Sequence, residues 1–426
     1  MSPRHAAQNR GLAPLSLGSA RRSDRSFRGV IAVLVVVVVA VAYVVVQLVR
    51  PVPAIAASGS DLSVTMPGTP AALAWPSQGE AAIGVEGAGL LATHGVQAET
   101  PLASVTKVMT AYVVLHDHPL TATSQGPEIT VTPTEVTTYQ QDLAAGDSVV
   151  AVEAGEQLTE EQALEALLLP SGDNIATLLA VWDAGSASAF VVKMNAEAKA
   201  MGLTDTDYTD ASGVAPETVS TAQAQVELAM QAMKIPAFRT IVALPQVTLP
   251  VAGLQYNVDA ELGNDGIIGI KTGYTTSAGG CFLFAGVDKV GSTTTTVVGA
   301  VLHQSATSTE PSALTAAFAA ATALLKSADP AIAQTTAITS GAVLGQLRAP
   351  WATTVDLEAT HSVALTALAG EHASVTVVLP KVAAPVAAHA RLGEAVVHIG
   401  DERTSVPLVT SRALPSESLT ARLTNV

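Results

Sequence analysis

The chain has 426 residues, a formal net charge of −15, 49% hydrophobic residues and 4% aromatic ones. That apolar share excludes a disordered chain, and the acidic balance argues against nucleic acid as a partner. The one cysteine, Cys281, excludes an internal disulfide framework and any cysteine-based zinc cluster, and the length suits two domains rather than one core.

The charge is unevenly placed: seven of the 21 basic residues but one of the 36 acidic ones precede Pro51. Residues 1–28, with Arg4, Arg10, Arg21, Arg22, Arg25 and Arg28, read as a basic cytoplasmic tail. Residues 29–49 carry no charge, and at about 1.5 Å each they span roughly 30 Å, the thickness of a bilayer core. Arginines ahead of the run and only Arg50 behind it predict a single-pass anchor with a cytoplasmic N-terminus and everything after Pro51 outside. Ala54-Ile55-Ala56 offers the spacing of a signal-peptide cleavage site. The apolar run is longer than a signal peptide needs, however, and Arg50 interrupts it before that site. An uncleaved anchor is the expectation, against cleavage after Ala56 and secretion.

Residues 50–75, rich in proline, glycine and serine, read as an extended linker. A hairpin follows, Glu80–Val85 and Leu90–Thr93 about a turn at Glu86-Gly87. Thr100-Pro101 opens a helix that runs to about His116. Thr159 and Gln162 have capping-box spacing ahead of a helix ending at Pro170, and Ile175–Trp182 and Ala187–Met201 read as helices, the second stopped by Gly202. Ile267–Ile270, Cys281–Val287 and Thr293–Leu302 predict adjacent antiparallel strands, the last two joined by a turn at 288–292, before an alanine-rich helix over Ser312–Lys326. This mixed α/β pattern, helices packed on an antiparallel sheet, covers 76–330. From about 335 to 426 short β-branched runs alternate with Gly and Pro, predicting a smaller all-β domain.

Three short motifs bear chemistry. Ser104 and Lys107 are three apart on a helix and share a face, which sets a hydroxyl beside an amine able to take its proton. In the first turn, Ser104 would also feel the helix dipole. Alone the pair is common, and an ordinary helix with a solvated lysine reads equally well. Ser171-Gly172-Asp173-Asn174 is a polar turn between two apolar helices; it aims a hydroxyl and an amide into a cleft, or simply caps a helix through Asp173 or Asn174. Lys271-Thr272-Gly273 lies on a predicted strand. Its lysine suits an anionic ligand, its threonine a carboxylate, and its glycine a close backbone approach. His116, Asp117 and His118 point apart on a helix end rather than converging on a metal, and no metal or organic cofactor is implied.

In this order the motifs resemble those of the penicillin-recognising serine enzymes, and more closely the D-alanyl-D-alanine carboxypeptidase family of low-molecular-mass penicillin-binding proteins. The phrases similar to that family are Pro101-Leu102-Ala103-Ser104-Val105-Thr106-Lys107, Leu167-Leu168-Leu169-Pro170-Ser171-Gly172 and Gly269-Ile270-Lys271-Thr272-Gly273-Tyr274-Thr275. Asp210-Ala211-Ser212-Gly213 and the trailing β-domain are similar too, so the likeness covers roughly 75–426.

The resemblance implies an acyl-enzyme on Ser104, Lys107 as its base, Ser171 as a proton shuttle aided by Lys271, and Thr272 on the substrate's carboxylate. It also implies the backbone N–H groups of Ser104 and Tyr274 as the oxyanion hole. The implied partners are peptidoglycan stem peptides, with β-lactams as acylating inhibitors. Asp173 departs from the family, which usually has asparagine there; an ionised aspartate only accepts hydrogen bonds. Asn174 could take the substrate-binding role, Asp173 could stay protonated beside Ser171, or activity could be weak. The alternatives to a carboxypeptidase are a catalytically weak peptidoglycan-binding scaffold and a β-lactamase, though no Glu-x-x-x-Asn element follows the second motif.

Overall fold

The computed structural model describes residues 21–70, 72–290, 293–305, 309–400 and 402–424. Arg4, Arg10 and residues 291–292 of the expected turn lie outside them. A helix runs over Arg21–Val49, and its Phe27–Val49 part, of mean hydropathy 3.2, is long and apolar enough to cross a membrane. Its valines project outward, with Val36 67% exposed. This is a surface that water disfavours and lipid accepts.

The α/β part is built on a five-stranded antiparallel sheet. Its spatial order is Ile267–Thr275, Gly279–Val290, Thr293–Gln304, Glu80–Val85 and Gly89–His94. The Lys271-Thr272-Gly273 strand is therefore an edge, paired on one side only, with Lys271 opposite Leu283 and Gly273 opposite Cys281. Glu310–Ala328 covers one face through Ala317, Phe318, Ala321 and Leu324, which pack on Phe282 and Phe284. The opposite face carries the larger core, which gathers Val108, Met109, Leu167, Leu179, Phe190 and Phe238 from successive helices. Small side chains let these helices approach closely. Thr159 caps Glu160–Leu168 in the expected capping box with Gln162, and Thr132 with Glu135 does the same for Pro133–Ala145.

The trailing part is all-β. A seven-stranded sheet has the order Ala56–Gly59, Val343–Arg348, Val355–Ala359, Glu402–Thr410, Arg391–Ile399, His372–Val378 and Leu62–Thr65, with a two-stranded sheet of Ile332–Ile338 and Val363–Leu368 beside it. Val355, Leu357, Val375, Ala395 and Leu408 fill its core. The 50–75 segment, expected as a linker, instead supplies both outer strands of this sheet. Ala56 pairs with Arg348, and Val64 with Ala373. Only Ser60 and Asp61 separate the two strands, so the sheet is rolled until its edges meet. The short helix Leu419–Thr424 closes back on the apolar helix: Arg422 donates to the Leu48 carbonyl at 2.6 Å, and Glu417 lies 3.5 Å from Arg50 and 3.2 Å from Arg422.

Candidate active site

Ser104 does not lie in the first turn of an α-helix, as its sequence suggests. It sits in a 3-10 turn, Ala103–Thr106, that leads into the helix Lys107–Asp117. The tighter turn still places Ser104 and Lys107 together, because residues three apart eclipse in a 3-10 helix. Ala103, with φ of 50°, carries the backbone strain that aims this turn.

Lys107 is fully buried and its Nζ donates to three acceptors: Ser104 Oγ at 2.8 Å, Asp173 Oδ1 at 2.5 Å and the Ser212 carbonyl at 3.0 Å. The last contact depends on Gly213, where a Cβ would stand 1.8 Å from the Ala103 carbonyl oxygen. Asp210 accepts from the Gly213 and Val214 N–H groups and shapes this loop.

Asp173 opens the helix Asp173–Ala184, whose N-terminal dipole favours a carboxylate there. Its Oδ2 accepts from the Ser148 N–H at 3.0 Å. Asn174 is turned away: its amide accepts from and donates to the Val150 backbone, each at 2.9 Å. Its amide pins the 148–150 loop rather than facing the cleft, where the sequence had offered it as a substrate contact. Asp173 faces the lysine rather than Ser171, so its carboxylate is in an ion pair and not free for substrate. Ser171 itself has φ of 70°, and its buried Oγ finds no hydrogen-bond partner among the described residues.

The edge strand completes the group. A Cβ on Gly273 would lie 2.9 Å from the Ser104 nitrogen, so only glycine lets this strand approach the serine turn. Thr272 and Lys271 are buried beside it. Lys271 donates to the Thr272 carbonyl at 3.1 Å. Burial, reinforced by the Lys107 charge and opposed by Asp173 and Asp259, pushes its ammonium down to about 7. Asp259 is pushed up to about 6 by burial, and its Oδ2 finds no partner among the described residues.

Ser104, Lys107, Asp173 and the Lys271 strand thus converge from four elements: the 3-10 turn, two helices and the edge strand. Sequence reading had no signal for the Ser148 and Val150 backbone or for Asp259, whereas the Asp210–Gly213 phrase did mark the loop that carries the Ser212 carbonyl. His118 binds Asp183 at 3.0 Å, away from His116. Among the described residues no three His, Cys, Asp or Glu side chains are placed to hold a metal ion.

Such a buried serine–lysine pair under an edge strand can activate a hydroxyl for acyl transfer. Comparison with known proteins points the same way. Residues 77–302 match the D-alanyl-D-alanine carboxypeptidase family of S11 peptidases. D-alanyl-D-alanine carboxypeptidase DacB2 of Mycobacterium tuberculosis is 35% identical over 192 residues, which are 43% of this chain and 62% of that protein. The chain thus spans less than two thirds of that relative. Penicillin binding protein 5 from Haemophilus influenzae has the same fold, with a TM-score of 0.61 at 18% identity over 82% of this chain and 99% of that one. The Streptomyces K15 DD-transpeptidase superposes with a TM-score of 0.51 at 26% identity over 61% and 98%.

Proposed function

Because the chain belongs to the D-alanyl-D-alanine carboxypeptidase family, we propose that it removes the terminal D-alanine from peptidoglycan stem pentapeptides through an acyl-enzyme on Ser104. The observation that carries this reading is Lys107 Nζ set 2.8 Å from Ser104 Oγ under the Gly273 backbone. Ser104 attacks the penultimate D-alanine carbonyl. The oxyanion that forms is met by the backbone N–H groups of Ser104 and Tyr274, which cost no reorganisation at that moment. Ser171, strained and unpartnered, carries a proton to the departing D-alanine. Lys271 and Thr272 hold the terminal carboxylate, and burial of Lys271 strengthens that attraction while making it dependent on pH. Water then hydrolyses the ester.

The chain is read as a single-pass membrane protein with its N-terminus in the cytoplasm and its cleft outside. The uncharged helix and the arginines before it support this topology.

Intact-mass analysis of the protein after incubation with benzylpenicillin tests the mechanism. The expected result is one penicilloyl adduct on the wild type and none on Ser104→Ala, together with D-alanine release from a pentapeptide. A folded wild type that forms no adduct would favour the peptidoglycan-binding scaffold.

A further inference from the structure

A lysine ammonium has three donors and no acceptor. Lys107 Nζ has three acceptors within hydrogen-bond reach and no exposure to water. In this arrangement the nitrogen has no lone pair to offer Ser104, so a proton must first leave it. A serine hydroxyl and an amide carbonyl are far too weakly basic to keep that proton at neutral pH. Asp173 is the one partner that can.

We propose that Asp173 holds the proton Lys107 must give up, so that the base activating Ser104 is the Lys107–Asp173 pair rather than the lysine alone. The inference rests on the reading of Ser104 as nucleophile. Asp173 acts through Lys107 and is in that sense a positioning residue.

The proton count closes. An Nζ–H bond breaks and an Oδ1–H bond forms, leaving an amine beside a carboxylic acid. The Ser104 hydroxyl turns its proton onto the freed lone pair as Oγ bonds to the substrate carbonyl carbon, whose π electrons move to oxygen. The pair now holds one extra proton. When the carbonyl reforms and the C–N bond breaks, the departing amine takes that proton through Ser171, and the pair returns to ammonium and carboxylate. Burial brings the charged and neutral forms of such a pair close in energy. The Ser148 N–H and the helix N-terminus draw the carboxylate form back afterwards.

Other charges face the pair: Lys271 from the edge strand, Asp142 from the helix Pro133–Ala145, and Asp147 from the loop that follows it. The experiment is the rate of Ser104 acylation by benzylpenicillin from pH 5 to 9, for the wild type and Asp173→Asn. A pair carrying one proton reacts whether it stands as ion pair or as amine and acid, so the wild type keeps its rate further to the acid side than a lone lysine would. In D173N a protonated Lys107 has nowhere to leave its proton. The acid limb then moves to higher pH, with a loss of about 10²-fold at pH 6 that shrinks towards pH 9. Lys271, which loses its proton at about 7, weakens carboxylate binding on the alkaline side equally in both proteins.

A limb that moves to lower pH, or a D173N enzyme faster at neutral pH, would overturn the inference by showing that Asp173 only pins an ammonium. The wild type gives a second readout that needs no variant. Two protons in motion make the rate bow against deuterium fraction in mixed H2O and D2O, whereas a straight line removes the relay. If the wild type never acylates at Ser104, the nucleophile assignment fails as well; a reversed shift in an enzyme that does acylate removes the relay alone.

Discussion

The cleft sets two buried lysines side by side and treats them in opposite ways. Lys107 is saturated, with a hydroxyl, a carboxylate and a carbonyl around its ammonium. Among the described residues Lys271 reaches one backbone carbonyl, while Ser171 Oγ, which opens the second motif, and an Asp259 oxygen find no partner. One side of the cleft is satisfied within the protein, and the other keeps buried polar groups unmet among the described residues. An unmet buried donor or charge costs stability, so a ligand that met these groups would return what they cost the free protein.

Lys271→Met should break this contrast most strongly. The wild-type lysine loses its proton near 7 in the folded chain but near 10.4 when unfolded. The unfolded chain therefore binds more protons between those values, and wild-type stability rises with pH across that window. Below pH 7 the cost of the buried ammonium is fully present. The methionine variant should be more stable there by several kcal/mol, with the gain gone by pH 10. It should also lose affinity for substrates ending in a carboxylate. Thermal unfolding at pH 6 and pH 10, with KM for a pentapeptide, checks both effects.

Gly273→Ala attacks the boundary between the two halves. Its Cβ would enter the 2.9 Å gap to the Ser104 nitrogen and push the edge strand off the serine turn. Acylation should slow by about 10²-fold, the effect of losing one oxyanion donor, while global stability changes little. A rate within threefold of wild type in a penicillin-acylation assay would contradict this.

The smallest effect is expected at Glu160, a buried acid outside the cleft. Neither of its carboxylate oxygens finds a partner among the described residues, and burial raises it to about 7. The folded chain then keeps a proton that the unfolded chain loses above about 4.3. Its contribution is fully present at pH 4 and fades as pH rises through 7. Glu160→Gln should flatten that decline by about 2 kcal/mol and leave acylation untouched, read as unfolding midpoints at pH 5 and pH 8.

What the sequence made legible follows the range of the forces involved. The Ser104–Lys107 pair is a three-residue relation and survives the change from α-helix to 3-10 turn, because both geometries bring those positions together. The Thr159–Gln162 cap is equally local. The cap of Thr132 on Glu135 has the same spacing and was there to be read. The ion pair of Lys107 with Asp173 is different: two helices distant in sequence must pack before it exists, and Asn174 was the equally plausible neighbour until the Val150 backbone claimed it. The burial of Asp259 and Glu160 has no local signature either, since acids usually mark surface. The 56–65 strands are hidden for the same reason: their partners lie near 345 and 375, and proline and glycine in the flanking chain suggest looseness.

Those strands change how far the cleft can stray from the apolar helix. A free coil over 50–75 would let the catalytic unit wander roughly 30 Å from its attachment point. Stitched along both margins of the rolled sheet, and clasped by Arg422 against the end of the apolar helix, the same residues act as a bracket. With that helix in a bilayer, the cleft keeps a fixed altitude and heading. On the proposed reading, its reach in the membrane plane and above it would then be set by the dimensions of the fold rather than by a flexible leash.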